Sequence, residues 1–196
     1  MSTFKTMRRA AFKAAAGGVL TLIASTAAFA QSTVLVVDTA KVYAESQVGQ
    51  HIERQIETMA NTTKSQLEAQ GAPLQTRGKS LMTQMDGKTR EQIAGDASLV
   101  SQLQLQQKDE QKLQQDAAIA QREIQIAKLK AVQLVDAKVS SIIKKIVEER
   151  NADIVIDRAN VIYGAPADIT TDIVSRLNAQ MKTVPVTREK LPRQQQ

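Results

Sequence analysis

The chain has 196 residues with no cysteine, one histidine and a formal net charge of +6. The lack of cysteine excludes a disulfide-stapled domain, so stability must come from packing or assembly. Nor does the charge point to nucleic acid: outside an N-terminal leader, 22 Lys+Arg stand against 20 Asp+Glu, a net +2 without a basic helix or stacking aromatics.

That leader begins "MSTFKTMRRAAFK", carrying Lys5, Arg8, Arg9 and Lys13, and continues as the apolar "AAAGGVLTLIASTAAF". Ala28-Phe29-Ala30 supplies the small-x-small pattern of an export signal, with cleavage expected after Ala30. The uncharged stretch of about sixteen residues falls short of the ~20 that span a bilayer, which argues against an anchor. No cysteine follows it, which excludes lipid attachment at a processed cysteine. Nothing later in the chain is apolar enough to cross a membrane, so the mature protein is expected to be soluble. Phe4, Phe12 and Phe29 all lie in the leader, leaving Tyr43 and Tyr163 as the only other aromatics. Long helices packed side by side need few such residues.

"TVLVV", Thr33 to Val37, is a short β-rich run, and Asp38 after it is placed to cap a helix. From Val48 to Met85 apolar residues fall at helical spacings, with Ile52, Ile56, Met59, Thr63 and Leu67 forming a narrow stripe. Gly71-Ala72-Pro73 predicts a kink or short break there, and Gly78 a second soft spot. "MDGKTREQIAGDAS", Met85 to Ser98, has no periodicity and reads as a chain reversal near 86–98. The return helix, about Leu99 to Arg150, is Gln-rich at first and then strongly apolar: Leu129, Val132, Val135, Val139, Ile142 and Ile146, widened by Leu134, Ile143 and Val147. Two helices of roughly 40–50 residues make an arm about 60–75 Å long.

"NADIVIDRANVIYG", Asn151 to Gly164, predicts a β-hairpin: Ile154–Ile156, a turn at Asp157–Asn160, then Val161–Tyr163. Asp168 is placed to cap a last helix whose apolar face is Ile169, Ile173, Val174 and Leu177. The tail has Pro185 and Pro192 without periodicity and is expected to be disordered over 184–196. The fold class is therefore α+β and predominantly helical. Residues 33–47 and 151–183 form a discontinuous β-rich body, residues 48–150 form the helical hairpin arm, and 1–30 the leader. The body of some 45 residues is below what usually stands alone, so assembly is expected through Val34, Val36, Ile154, Ile156 and Ile162.

Little points to catalysis. His51 lies on a polar stretch and reads as solvated, and no metalloprotease, phosphate-loop, CxxC or GxSxG motif occurs. Asp38 and Asp157, both at strand ends, form the one carboxylate pair of interest, and each reads more simply as a cap. No enzyme activity and no cofactor are expected.

"VLVVDTAKVYAES" after the leader, "NADIVIDRANVIYG" and "ADITTDIVSRLN", separated by a hairpin-sized helical insert, resemble the Skp family of periplasmic chaperones, also called OmpH-like. The likeness covers nearly all of Thr33 to Met181. It implies a jellyfish-shaped homotrimer in the periplasm, with strands from three chains in a central body and three arms around a cavity. Unfolded outer-membrane β-barrel proteins would be held there without ATP. Two features depart from the family: a mature chain that is near neutral where well-studied members are strongly basic along the arms, and the proline-containing tail.

On that reading Met59, Leu67, Leu81, Met82 and Met85 are the candidate client contacts, against the plainer role of seam residues facing the partner helix. Arg77, Lys79, Lys88 and Arg90 make a basic arm tip, suited to acidic clients or to weak contact with anionic membrane or lipopolysaccharide. The plainer role for them is a solvated turn. An export-pump adaptor would need larger β-rich domains than the few residues preceding the arm. A structural coiled-coil spacer of the envelope would need a stiff, unbroken seam.

Overall fold

A computed structural model describes residues 32–193; the expected leader and its cleavage point lie outside them. Strand β1 (Val34–Val37) leads through the cap residue Asp38 into helix α1 (Thr39–Glu45). The Asp38 carboxylate accepts a hydrogen bond from Lys41 N at 2.8 Å, satisfying one of the unpaired donors of the first turn. Ser46, in extended backbone, ends α1 and caps α2 (Gln47–Met85), its hydroxyl accepting from Gly49 N at 3.1 Å. A short helix α3 (Arg90–Gly95) fills the reversal, and α4 (Ala97–Arg150) brings the chain back. Partner numbers fall as those of α1 and α2 rise, from Tyr43–Asp136 through Glu53–Lys128 to Leu74–Gln106, so these helices run antiparallel to α4.

At 54 residues against 39, α4 outruns α2 by fifteen, or about 22 Å. That excess lies over the body. Val135, Val139, Ile142 and Ile146 of α4 pack with Leu35, Val37 and Val42 in one core, which Val48 and Ile52 extend into the arm. Asn151 then takes the left-handed conformation, φ 45°, and turns the chain into β2 (Ile154–Asp157). Strand β2 runs parallel to β1 in the register Val34↔Ile154 to Val37↔Asp157.

The hairpin expected at 154–163 does not form. Asp157 accepts from Ala159 N at 2.8 Å and from the Thr39 hydroxyl, winding the chain into a 3-10 turn at Arg158–Asn160. Val161–Tyr163 join no strand, and the third strand is instead β3 (Ala167–Asp168). The sheet order is β2-β1-β3 with both pairs parallel, so β1 gains partners on both sides. Helix α5 (Thr170–Gln180) closes the core with Ile173 and Leu177. Asp168 lies in β3 and not at the cap position, yet its carboxylate still accepts from Thr170 N at 2.8 Å.

Three further expectations change. Helix α2 runs unbroken through Gly71, Pro73 and Gly78. Several turns on either side, packed along α4, outweigh the single backbone bond that the proline removes. The two glycines sit where α4 side chains press on α2: an added Cβ would come within 3.4 Å of Leu113 at Gly71 and of Gln106 at Gly78. Second, the apolar seam of α4 passes through Ala120, Ala127 and Ala131 rather than Leu129. Leu129 is two residues from Ala127 and from Ala131, about 200° around the helix, and faces outward. Third, the tail is not loose over its described length. Val184 is buried in the body core, and residues up to Arg193 lie along the arm.

The elbow between α1 and α2 is tightly fitted, because a Cβ on Gly49 would lie 1.9 Å from the Tyr43 carbonyl oxygen. Gly49→Ala is expected to destabilise the chain by about 1–3 kcal/mol or more, read as a lower urea midpoint. Helix α5 is held to α4 by Arg176, which pairs with Glu149 at 2.7 Å and with Asp172 at 2.7 Å. Hydrogen bonds from Arg176 hold both carboxyls below their ordinary range. Folded values below unfolded ones give stability that is complete above about pH 4.5 and lost as pH falls through the lowered values. Thermal midpoints should fall between about pH 5 and pH 3, and fall less in Arg176→Ala.

Candidate functional site

Two surfaces stand out, one on the body and one on the arm. On the body, the outer edges of β2 and β3 carry no further strand among the described residues. Ile154 is half exposed, while Ile162 and Tyr163 are 101% and 99% exposed in the loop between the 3-10 turn and β3. Gly164, at φ 109°, lets that loop turn where other residues would be strained. Val36 does not belong to this surface: it is wholly buried in the central strand, beneath a groove formed by Arg158 and the loop Val161–Pro166. Val34 and Ile156 are partly buried. Tyr163, read from sequence as a strand residue, joins the exposed set. Two large apolar residues ahead of Gly164 and Pro166 were the available signal.

Asp38 and Asp157 act as caps. Asp157 also accepts from the Thr39 hydroxyl, which lowers its pKa first, with the Ala159 N–H adding to the effect. Tyr43 fastens α1 to α4 by donating to Asp136, and burial together with that carboxylate pushes its phenol upward. His51 is half covered, its Nε2 lying 3.2 Å from the Val184 carbonyl, so it is not the solvated residue expected.

Along the arm the candidate contacts separate by exposure. Met82 is 69% exposed, and Met59, Leu67 and Met85 are partly buried. Leu81 is 2% exposed and belongs to the interior of the arm, so it offers nothing to a partner. Leu105, Leu129 and Leu134 are about half exposed. Leu129 and Leu134 had been expected to face the core.

The distal half of the arm combines polar groups with Leu81 and Leu99, both almost fully buried near the reversal. Arg77 donates to Gln106 at 2.5 Å and to Asp109 at 2.6 Å, and Gln106 donates to the Leu74 carbonyl at 2.9 Å. Arg77 is therefore turned into the arm instead of adding to a basic tip. Lys88 pairs with Asp96 at 3.4 Å, and Asp96 is held low first by the Leu99 N–H and then by Lys88. Lys79 and Arg90 are exposed and make no ion pair among the described residues. The capping box of Thr89 and Gln92 opens α3 and sets the reversal.

One buried charge escaped notice in the sequence. Glu123 of α4 is 0% exposed and paired with Arg188 at 2.6 Å. Its only signal was its place in the seam, four residues before Ala127.

Residues 33–177 match the family described as outer membrane protein (OmpH-like). No curated protein matches the chain. Among solved structures, a Caulobacter crescentus CB15 protein provisionally designated an OmpH-like outer membrane chaperone is similar, at 22% identity and a TM-score of 0.69. The alignment covers 84% of this chain and 95% of that one, and it shows the shared fold.

The Arg77 pair is about one-third exposed, so its loss should be modest and local. Arg77→Ala is expected to cost about 1–2 kcal/mol of charge-assisted bonding, raising amide exchange in the distal turns of α2 about 5–30-fold. Exchange in the body should stay unchanged.

Proposed function

Because this chain belongs to the OmpH-like outer membrane protein family, we infer that it is an ATP-independent chaperone of the periplasm. It binds unfolded outer-membrane β-barrel proteins and keeps them from aggregating before insertion. The observation that carries this reading is the spacing of exposed apolar side chains along the arm. Met82, Leu105, Leu129 and Leu134 are the exposed large apolar residues of the arm, spread along its length, with Leu105 beside the partly buried Leu74, Leu113 and Ile119. Each offers an unfolded segment one weak contact, and many weak contacts hold a client that must later leave. Methionine at such a position adapts to varied partners.

Assembly as a homotrimer completes the reading. Open strand edges beside Ile154, Ile162 and Tyr163 are the kind of surface that a second copy covers. Three arms would then enclose the client. Export uses the N-terminal leader, with cleavage after Ala30. Lys79 and Arg90 give the distal arm a weak affinity for anionic membrane or lipopolysaccharide. No cofactor or catalytic step takes part.

The unbroken course of α2 through Pro73 favours a second reading, a stiff structural spacer of the envelope without clients. Dilution of a urea-unfolded outer-membrane β-barrel protein into the mature chain, without ATP, separates the two. Light scattering should be suppressed, saturating at about one client to three chains as a three-fold assembly requires. Unchanged scattering across several clients, from protein shown to be folded, would sink the chaperone reading and leave the spacer.

A further inference from the structure

The family match ends at Leu177, but the ordered path of the chain does not. Residues 181–193 carry no regular secondary structure and run outward along the arm, from His51 past Thr63 to Asp116. The segment has two parts. Its root is apolar, with Met181, Val184 and Val186 packed against the body core. Its outer part, Thr187–Arg193, is held by polar contacts.

Those contacts converge on the Glu123 carboxylate. Arg188 Nε donates to Oε2 at 2.6 Å, and the Leu191 N–H donates to Oε1 at 2.8 Å. Arg188 also donates to the Thr63 hydroxyl at 2.7 Å, joining α2 to α4 through the tail. Arg193 pairs with Asp116 at 3.4 Å, and Glu189 with Lys130 at 2.5 Å. A carboxylate shut between two helices needs partners for both oxygens, and here both partners come from the tail. Burial alone would raise Glu123, but the Leu191 N–H and Arg188 outweigh it and keep the carboxyl below its usual range.

No residue of Thr187–Arg193 is wholly buried, and the arm offers it no backbone-to-backbone hydrogen bond. Its attachment is thus a matter of charge and one main-chain donor, which another extended segment could reproduce. We propose that the arm face formed by Thr63, Asp116 and Glu123 is a binding groove for extended basic peptide, with Thr187–Arg193 as its resident, displaceable occupant. The guest carries an arginine for Glu123 and Thr63, a backbone N–H three residues on for the same carboxylate, and a second arginine for Asp116. Of the residues assigned to clients, Leu105 lines the same hollow as Asp116 and Arg193, so the groove borders that set; its test needs no client.

The resident is tethered, so its effective concentration is about millimolar and a free peptide competes poorly with it. The test therefore uses the full chain with the two tail arginines removed, Arg188→Ala/Arg193→Ala. A fluorescein-labelled peptide of the sequence Thr187–Gln196 is titrated by anisotropy. It should bind this variant at least about tenfold more tightly than the unmodified chain. Adding Glu123→Gln should return binding to the unmodified level. Equal binding to all three proteins, matched in helicity by circular dichroism, would overturn the groove. Hydrogen exchange on the unmodified chain tests displaceability even where the variant does not fold. Raising salt from about 0.05 to 0.5 M should speed exchange of the Leu191 amide about tenfold and spare α2 and α4, since the flanking Glu189–Lys130 and Arg193–Asp116 pairs are partly exposed and screened. A Leu191 amide whose exchange ignores salt marks the tail as a fixed part of the fold, and the proposal fails.

Discussion

The pairing of β1 with β2 is the constraint on which the molecule depends. Its strands meet across about 120 residues of sequence, Thr33 with Asp153 and Val34 with Ile154. Parallel strands cannot be joined by a tight turn and require a crossover. Here the crossover is the whole arm. The cost of closing so long a loop grows only slowly with length, and most of this one is ordered as two helices packed on each other. Because the last turns of α4 pack into one core with residues of β1, α1 and α5, body and arm share that core from Ile146 to Ile52.

Along the arm the chemistry of that core changes. Valine and isoleucine near the body give way to alanine at 131, 127 and 120, with Glu123 and Thr63 among them. Farther out, Gln106, Arg77 and Asp109 take over, until buried Leu81 and Leu99 make the interior apolar again beside the reversal. Polar pairing holds helices together less firmly than apolar burial, and stability within a fold is seldom uniform. Between these two apolar ends, then, the arm is held by contacts that open more easily.

The sequence made much of this plain. The stripe from Ile52 to Leu67, the reversal around Gly87 and the cap at Asp38 all rest on local rules, and local rules suffice for them. The errors arose where a partner decides. Val161–Tyr163 has strand propensity, but the side of β1 that accepts a strand was reached by Ala167–Asp168. Pro73 reads as a break until α4 is packed along it. Leu129 outranks Ala127 in hydrophobicity, yet close packing of two helices prefers the smaller side chain. The tail lacks periodicity because its fit is to a surface formed by residues 60 to 130 positions away. Arg188 and Glu123 are each unremarked alone, and only their meeting makes a site.

Gly49 sits where the arm leaves the body, with the Tyr43 carbonyl so close that no side chain fits. Helix α2 extends about 54 Å beyond that point. Such a lever magnifies whatever happens at its pivot: a rotation of about 5° at the elbow would carry the far end some 5 Å. The close fit at one glycine thus sets the aim of a rod many times longer than itself.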